Sequence, residues 1–341
     1  MNKFITSLLT IACAALPLAP EASAATGDSI SYIPKVHGTL RGRFEVATRH
    51  GDYRFQLRNA RVSLAGNIAP AIDYFLQADF CDRGSIKFLD GWVRMKITDG
   101  VAIQAGQFRM PFGVDPFRGP HTYFFANRSF LGNQVCNYRA VGGKISYAVP
   151  SIPLTVEAGV FNPGKIGDHT PWNSSLAYAA KATYTIHNVK LSAGMMSISP
   201  DSVRSNLIYG CLSWSAGRWI VEGEYMYKHY THSRHVPAHA YNIFADYHMP
   251  IKAGFFNRLS FQGRFDGMTS HSSCRRSDSG HLMTDHPRRN RITVGSTISY
   301  IRTKNMFLDL RVNYEKYFYS SHATVNPDSD DKAVVELVLR F

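Results

Sequence analysis

The sequence of 341 residues has few cysteines, few charged side chains and no long internal hydrophobic run. Five cysteines are too few for a disulfide framework, and their spacings match no zinc motif, although a Cys81–Cys136 bridge remains possible in an oxidising compartment. Charged residues make up 18% of the chain, and beyond its N-terminus no stretch reaches the ~18 uncharged apolar residues of a spanning helix. These shortages exclude a helical membrane bundle, and an aromatic content of 13% excludes a disordered chain.

The N-terminus predicts a secretory signal peptide. Lys3 supplies a positive charge, residues 4–18 supply an apolar core, and residues 22–24 read Ala-Ser-Ala, a small-x-small cleavage pattern. We predict a signal peptide over residues 1–24, a short periplasmic segment over 25–35 and a single domain over 36–341. The protein is therefore expected to be exported.

Apolar and polar residues in the exported chain alternate with a period of two, which is typical of β-strands. In residues 307–315, for example, Leu308, Leu310 and Val312 alternate with polar neighbours. A change of phase near Arg58 predicts a β-bulge. The pattern predicts an all-β chain of sixteen strands, at residues 36–47, 53–66, 71–80, 85–98, 101–109, 138–149, 153–161, 176–187, 189–198, 204–215, 218–229, 239–249, 256–268, 290–301, 306–318 and 332–341.

The lengths of the connections indicate how these strands are arranged. Connections after even-numbered strands are all short, whereas every long connection follows an odd-numbered strand. A 16-stranded antiparallel transmembrane β-barrel sorts its loops in this way, with short periplasmic turns and long extracellular loops. A soluble β-sandwich, which is the alternative reading of the alternation, has no reason to do so. Aromatic residues near strand ends also favour the membrane barrel.

A barrel of sixteen strands leaves an aqueous lumen. The polar faces of the predicted strands are rich in cations, and rings of Arg and Lys are typical of anion pores. The alternative is that neighbouring acids such as Glu45, Asp90, Glu157 and Asp266 neutralise these cations. The net charge of +13 favours a positive lumen. The candidate residues of the anion path are Arg41, Arg43, Arg61, Arg94, Arg109, Arg139, Lys144, Arg264 and Arg311.

The connection over residues 110–137 is too aromatic for a freely solvated loop. It is the third connection on the long-loop side, and we expect it to fold against the inner wall and narrow the channel. The alternative is a cap packed on the outer rim. The residues expected to form the constriction are Pro111, Phe112, Gly113, Arg118 and Arg128.

Several motifs resemble the phosphate-selective porin O and P family. The sequence Gly106-Gln107-Phe108-Arg109-Met110-Pro111-Phe112-Gly113 resembles the family's "GQFxxPFG" hallmark, and residues 42–44, 57–62, 264–266, 298–300 and 312–314 resemble other family segments in the same order. The resemblance implies a trimeric outer-membrane porin of sixteen strands whose third loop enters the lumen. It also implies an arginine path for phosphate, but the lysine cluster of the family's founding members is missing from the third loop.

These observations predict an outer-membrane porin of a Gram-negative bacterium, a passive diffusion channel that prefers small anions such as phosphate. Two alternatives remain open. One is a general or sugar-type porin without anion selectivity, and the other is a plugged barrel that acts as an adhesin or enzyme. The expected partners are small anions, outer-membrane lipid and lipopolysaccharide, in addition to two further copies of the chain in a homotrimer.

No catalytic or cofactor motif supports an enzyme, and no cofactor is expected. The basic segment over residues 275–291 suits lipopolysaccharide phosphates or anionic solutes better than nucleic acid, and a solvated loop is an equally good interpretation. A group of histidines between the eleventh and twelfth strands could bind zinc, although a solvated loop is the simpler interpretation. These histidines are His229, His232, His235 and His239.

Overall fold

The structure is a computed structural model that describes residues 32–82, 84–136, 138–163, 166, 172–200, 203–233, 235–274, 277–284, 286–300, 302–303, 306–320 and 327–341. The predicted signal peptide lies outside the described residues. The boundary between a periplasmic segment at residues 25–35 and the barrel also remains a prediction. The first strand begins at Lys35, one residue before the predicted start of the barrel.

Sixteen antiparallel strands close into a single barrel, which confirms the predicted fold class. Each strand pairs with its neighbours in sequence, and β1 pairs with β16, so the sheet has no free edge. The strands are β1 (Lys35–Ala47), β2 (Asp52–Ala69), β3 (Ile72–Asp82), β4 (Ser85–Lys96), β5 (Val101–Arg109), β6 (Arg139–Ala148), β7 (Leu154–Phe161), β8 (Ala177–Ile186), β9 (Val189–Ile198), β10 (Ser205–Ala216), β11 (Trp219–Tyr230), β12 (Ala238–Ala253), β13 (Phe256–Met268), β14 (Arg289–Tyr300), β15 (Phe307–Tyr319) and β16 (Lys332–Arg340).

The two faces of the wall differ in polarity because successive side chains of a strand point to opposite faces. On β1, Arg41 and Arg43 are buried inside the barrel, while Leu40, which precedes Arg41, is exposed outside. On β2, Phe55 is 85% exposed on the outer surface. An apolar exterior around a polar interior is the arrangement of an outer-membrane barrel.

Local irregularities appear at two positions that the sequence singled out. Arg41 pairs with Asn59 and Gly42 pairs with Leu57, so Arg58 is the extra residue of a bulge, as predicted. Gly106 has φ of +129°, and a Cβ atom there would lie 2.2 Å from the carbonyl oxygen of Gly91 on β4. Only glycine allows this close contact between backbones at the start of the Gly-Gln-Phe motif.

The connections follow the predicted sorting by length. β10 and β11 are joined by a two-residue turn in which Gly217 takes φ of +57°, whereas 29 residues separate β5 from β6. No helix among the described residues is long and apolar enough to cross a membrane. The cysteines at positions 81, 136, 211 and 274 are all free, so the structure contains no Cys81–Cys136 bridge.

Candidate functional site

The connection between β5 and β6, here called loop L3 (residues 110–138), folds into the barrel. Its apolar side chains are buried against inward-facing residues of the wall, and together they form the main hydrophobic cluster of the molecule. This placement agrees with the expectation of an inner loop and not with a cap on the outer rim. The cluster includes Met110, Phe112, Phe130, Leu131 and Val135 from L3, and Phe161, Met196, Leu207, Tyr209 and Met226 from the wall.

Much of the wall beneath L3 has an apolar inner face. On β10, Leu207 and Tyr209 are buried inside, while Ile208 and Leu212 are exposed outside, so both faces of this strand are apolar. Phe112 of L3 packs edge-on against Tyr209 with ring centroids 4.9 Å apart. Burial of such an aromatic side chain contributes roughly 1.5–3 kcal/mol to docking of the loop.

Polar contacts hold the first half of L3 against β8 and β11. The carboxylate of Glu224 accepts the backbone N–H groups of Val114 at 2.7 Å and Asp115 at 3.0 Å. Lys181 donates to the carbonyl oxygen of Gly113 at 2.9 Å. These bonds satisfy backbone groups that burial removes from water, which would otherwise destabilise the docked loop.

Arg118 provides a further contact between the first half of L3 and the wall. Its guanidinium donates to Glu222 at 2.6 Å and also lies 5.3 Å from the ring centroids of Phe124 and Phe244. The charged end of Arg118 is therefore bound to the wall while its flat face packs on aromatic rings.

Wall arginines hold the second half of L3 by its carbonyl oxygens. The backbone of the loop also donates, from Phe130 N to Asp266 and from Ala126 N to Asn313, at 2.8 and 2.7 Å. Four arginines donate to carbonyl oxygens of L3, and three of them, Arg41, Arg264 and Arg311, belong to the predicted anion path. The donors are Arg41 to Ala126 O at 2.6 Å, Arg264 to Asn127 O at 2.8 Å, Arg291 to Arg128 O at 2.7 Å and Arg311 to Tyr123 O at 2.7 Å.

A cavity of about 540 Å³ lies between L3 and the charged side of the wall. Its lining contains eleven Arg and Lys side chains against three carboxylates. The cations are Arg41, Arg43, Arg54, Arg58, Arg61, Lys87, Arg109, Arg128, Arg139, Arg291 and Lys332, and the carboxylates are Glu45, Asp82 and Asp328.

Carboxylates behind the lining position several of these cations. Asp79 contacts Arg61 at 3.0 Å and Glu336 contacts Arg41 at 2.5 Å, and neither acid lines the cavity. The four acids that the sequence offered as neutralising partners are each paired: Glu45 with Arg43, Asp90 with Arg139, Glu157 with Lys144 and Asp266 with Arg264. Paired arginines retain their positive charge but have restricted rotamers, so the wall presents an ordered set of cations.

Tyr123 of L3 contacts two cavity arginines. The Arg41 guanidinium lies 5.0 Å and the Arg128 guanidinium 4.8 Å from the centroid of its ring. The aromatic ring attracts both cations through the negative charge of its π-system. This contact joins the loop to β1 on the cavity side.

Two titratable groups of L3 have shifted pKa values. Burial favours a higher pKa for Asp115, but the charges of Arg118 and Arg128 outweigh it and hold the pKa below its usual value. Burial, assisted by Arg340 and Arg61, lowers the pKa of His121 to about 4. Near neutral pH the loop therefore carries an ionised Asp115 and an uncharged His121.

The structure brings five of the nine predicted anion-path residues into one cavity lining: Arg41, Arg43, Arg61, Arg109 and Arg139. The other four lie outside that lining. Arg264 and Arg311 contact L3 carbonyls, Arg94 pairs with Asp73, and Lys144 pairs with Glu157.

The predicted constriction residues also occupy different places. Arg128 lines the cavity, whereas Arg118 lies outside the lining and contacts the wall. Pro111, Phe112 and Gly113 are buried where the loop enters the barrel.

The sequence interpretation did not include five cavity cations: Arg54, Arg58, Lys87, Arg291 and Lys332. Arg58 could have been found from the bulge, because the change of phase after it alters which side chains face inward. Arg291 belongs both to the basic segment over residues 275–291, which is expected at the rim, and to the predicted strand at residues 290–301. Among the carboxylates that anchor L3, Asp266 is expected from the sequence only as a neutralising acid, and Glu222 and Glu224 have no signal of their own in the sequence.

The four histidines that suggested zinc do not converge in the described part of the chain, where no group of three potential ligands includes any of them. His239 contacts the Tyr225 hydroxyl at 2.6 Å, and His235 contacts Thr284 at 3.0 Å. These contacts agree with the simpler interpretation of the histidine-rich loop.

Comparisons with solved structures give the same architecture. An anion-selective porin from Comamonas acidovorans is 14% identical, with a TM-score of 0.58 over 90% of this chain and 98% of that chain. OprB from Pseudomonas putida is 11% identical, with a TM-score of 0.59 over 90% and 93%. OmpT from Vibrio cholerae, in a trimer form, is 10% identical, with a TM-score of 0.56 over 91% and 98%. At such identities the likeness establishes the fold.

A comparison with curated proteins finds no match. The family model described as phosphate-selective porin O and P matches residues 42–206, which include the Gly-Gln-Phe motif and the whole of L3. This match confirms the resemblance drawn from the motifs. Residues 42–206 therefore match the model of the phosphate-selective porin O and P family, and the closed barrel of sixteen strands has the fold of the solved outer-membrane porins.

Proposed function

We propose that the protein is a passive diffusion channel of the outer membrane that prefers small anions, with phosphate among them. The observation that supports this function is the cavity beside L3, which is lined by eleven cations and three carboxylates. A cleft with an excess of one charge concentrates counter-ions and lowers the barrier to their passage. Guanidinium groups also contact phosphate oxygens at two points, whereas chloride offers a single acceptor.

A general or sugar-type porin is the nearest rival function. Aromatic residues such as Tyr123, Phe130 and Tyr317 line the same cavity and would suit a sugar ring. The charge excess favours the anion channel because neutral solutes gain nothing from it. The second rival is a plugged barrel, which would act as an adhesin or enzyme and would not conduct ions. The cavity beside L3 argues against a lumen that is completely filled.

The cellular setting is part of the proposal. Export through the predicted signal peptide would deliver the chain to the outer membrane, where its apolar exterior meets lipid and the long loops meet lipopolysaccharide. A homotrimer is supported by the family resemblance and by the trimer form of the OmpT structure. The lumen of each barrel would then act as a separate channel.

Single-channel recording in a planar bilayer tests this function. Under a KCl gradient we expect a reversal potential that shows chloride to be more permeant than potassium. Phosphate added in steps should reduce the chloride current in a saturable way. A cation-preferring current would refute the anion channel, and absence of current from correctly folded barrels would favour the plugged rival. An anion current that is indifferent to phosphate would leave a general anion channel.

A further inference from the structure

A compact group of polar side chains lies beneath L3, away from the cavity just described. Cys211 on β10 is opposite Glu224 on β11, and Glu224 is opposite Asn242 on β12, so the three residues form a row across the inner wall. Glu222 lies two residues from Glu224 on the same face. The Cys211 sulfur and one carboxylate oxygen from each of Glu222 and Glu224 lie within 4.8 Å of one another, and all three residues are buried.

Two acceptors at this place lack a donor. Glu222 uses Oε2 to receive Arg118, but its Oε1 atom is buried and receives no hydrogen bond from the described residues. The Oδ1 atom of Asn242 is also buried, and no described residue donates a hydrogen bond to it. Both residues are only 2% exposed. Buried oxygens are normally paired, so unpaired ones at one place indicate a missing partner.

The local charge balance indicates that the missing partner is a cation. Glu222, Glu224 and Asp115 place three carboxyl groups in a buried region. Arg118 contacts Asp115 and Glu222, and Arg128 also stabilises the ionised Asp115, but no ion pair among the described residues includes Glu224. Uncompensated buried carboxylates are costly, and a bound metal ion is one of the few ways to stabilise them. The backbone bonds from L3 to Glu224 satisfy part of that carboxylate and leave further lone pairs available.

We propose that Cys211, Glu222 and Glu224 bind a thiophilic divalent metal ion of the Zn²⁺ class, with Asn242, which is opposite Glu224 on β12, as the candidate for a fourth ligand. A sulfur ligand selects against Ca²⁺ and Mg²⁺, which prefer all-oxygen sites. Zn²⁺ accepts a mixed set of sulfur and carboxylate ligands in tetrahedral geometry. Binding requires the Cys211 thiol to release its proton to solvent, so affinity rises with pH.

The site would fasten L3 to the wall. Glu224 receives the loop backbone at Val114 and Asp115, and Glu222 receives Arg118 of the same loop. A metal ion on the two carboxylates restricts their rotamers and thereby the loop that they hold, in the way that metal sites couple to local folding. This role is independent of the ion preference of the channel.

Metal binding to the full-length barrel in detergent tests the proposal. The protein is incubated with Zn²⁺, separated from free metal and assayed for zinc per chain, and Co²⁺ is then used as a spectroscopic probe. We expect one metal ion per chain and a near-ultraviolet sulfur-to-cobalt charge-transfer band. Cys211→Ser should abolish the band, and Glu222→Gln should weaken metal binding about tenfold or more. Cys274→Ser, which alters another buried free cysteine, should leave both readouts unchanged.

Several results would overturn the site. One is the absence of bound metal in the wild-type protein, and another is a charge-transfer band that survives Cys211→Ser. A third is metal binding without any sulfur-to-cobalt band, which would indicate that the ion binds to surface histidines. Folding of each variant is checked by the heat-dependent shift of the barrel in gel electrophoresis. Should Cys211→Ser fail to fold, the wild-type stoichiometry and band together with Glu222→Gln still decide the question.

Discussion

Arg139 and Asp90 form a two-point ion pair on the wall of the cavity, with Nε 2.9 Å from Oδ1 and Nη2 3.1 Å from Oδ2. Arg94 and Asp73 repeat this geometry at 3.1 Å and 2.8 Å. Arg139 lines the cavity, whereas Arg94 does not. The two pairs therefore have similar chemistry and differ in position.

This contrast predicts unequal effects of the same substitution. Arg139→Gln should lower the ratio of anion to cation permeability, because it removes a positive charge beside the permeating ion. Arg94→Gln should lower the ratio much less. Reversal potentials of both variants under one KCl gradient measure the difference. Equal effects would show that net charge of the barrel, and not the cavity, sets the ion preference.

Ion preference should also decline with ionic strength. Salt screens fixed charges over about 10 Å at 0.1 M and about 3 Å at 1 M, so cavity arginines act over a shorter range in concentrated salt. We expect the anion-to-cation permeability ratio of the wild-type channel to fall toward one as KCl rises between these concentrations. A ratio that does not change would mean that size exclusion at L3 selects the ion.

Phe112→Ala should destabilise the protein through the cluster beneath L3. Phe112 is 1% exposed and packs on Tyr209, and Phe→Ala changes at such sites cost about 3–5 kcal/mol. The matched control is Phe255→Ala, because Phe255 lies outside the strands, in the turn between β12 and β13, and is 73% exposed. Urea unfolding in lipid vesicles compares the two variants with the wild type. Similar losses for both variants would contradict the packing of L3 inside the barrel.

The attachment of L3 should weaken in acid. The pKa of Asp115 is lower in the folded protein than in the unfolded chain, so its ionised form contributes stability above its ordinary pKa of ~3.9. That contribution is lost as the pH falls through the lower, folded-state pKa. Single-channel traces should therefore be steady from pH 7 to about 5 and become noisier below about 4. Traces of the Asp115→Asn variant should be noisier than those of the wild type even at neutral pH, and their noise should increase less on acidification.

Much of the fold was predictable because a barrel wall imposes simple rules on the sequence. Alternation of side chains located the sixteen strands, and the loss of phase at Arg58 located the bulge. The ends of strands were less accurate. β12 continues to Ala253, beyond the predicted residue 249, since it stays paired with β13 up to Phe256.

The site was harder to predict than the fold. Strand periodicity shows that Arg61 and Arg264 both point inward, but it does not show what each side chain meets there. Arg264 meets a carbonyl of L3, while Arg61 reaches the cavity. The difference depends on where one long loop docks, which is a contact between residues far apart in sequence. The apolar residues on both faces of β10 were the signal that could have located the docking surface.

The apolar wall beneath L3 also affects how the channel could change its bore. If the loop moved away, it would expose side chains such as Leu207 and Met226, both nearly inaccessible in the docked structure. Exposure of this apolar surface to water in the lumen would cost free energy in proportion to the area uncovered. The cluster therefore opposes displacement of L3 and favours the docked position. In the proposed channel, the width of the bore is thus set by the docked loop, and ions pass on its arginine-lined side.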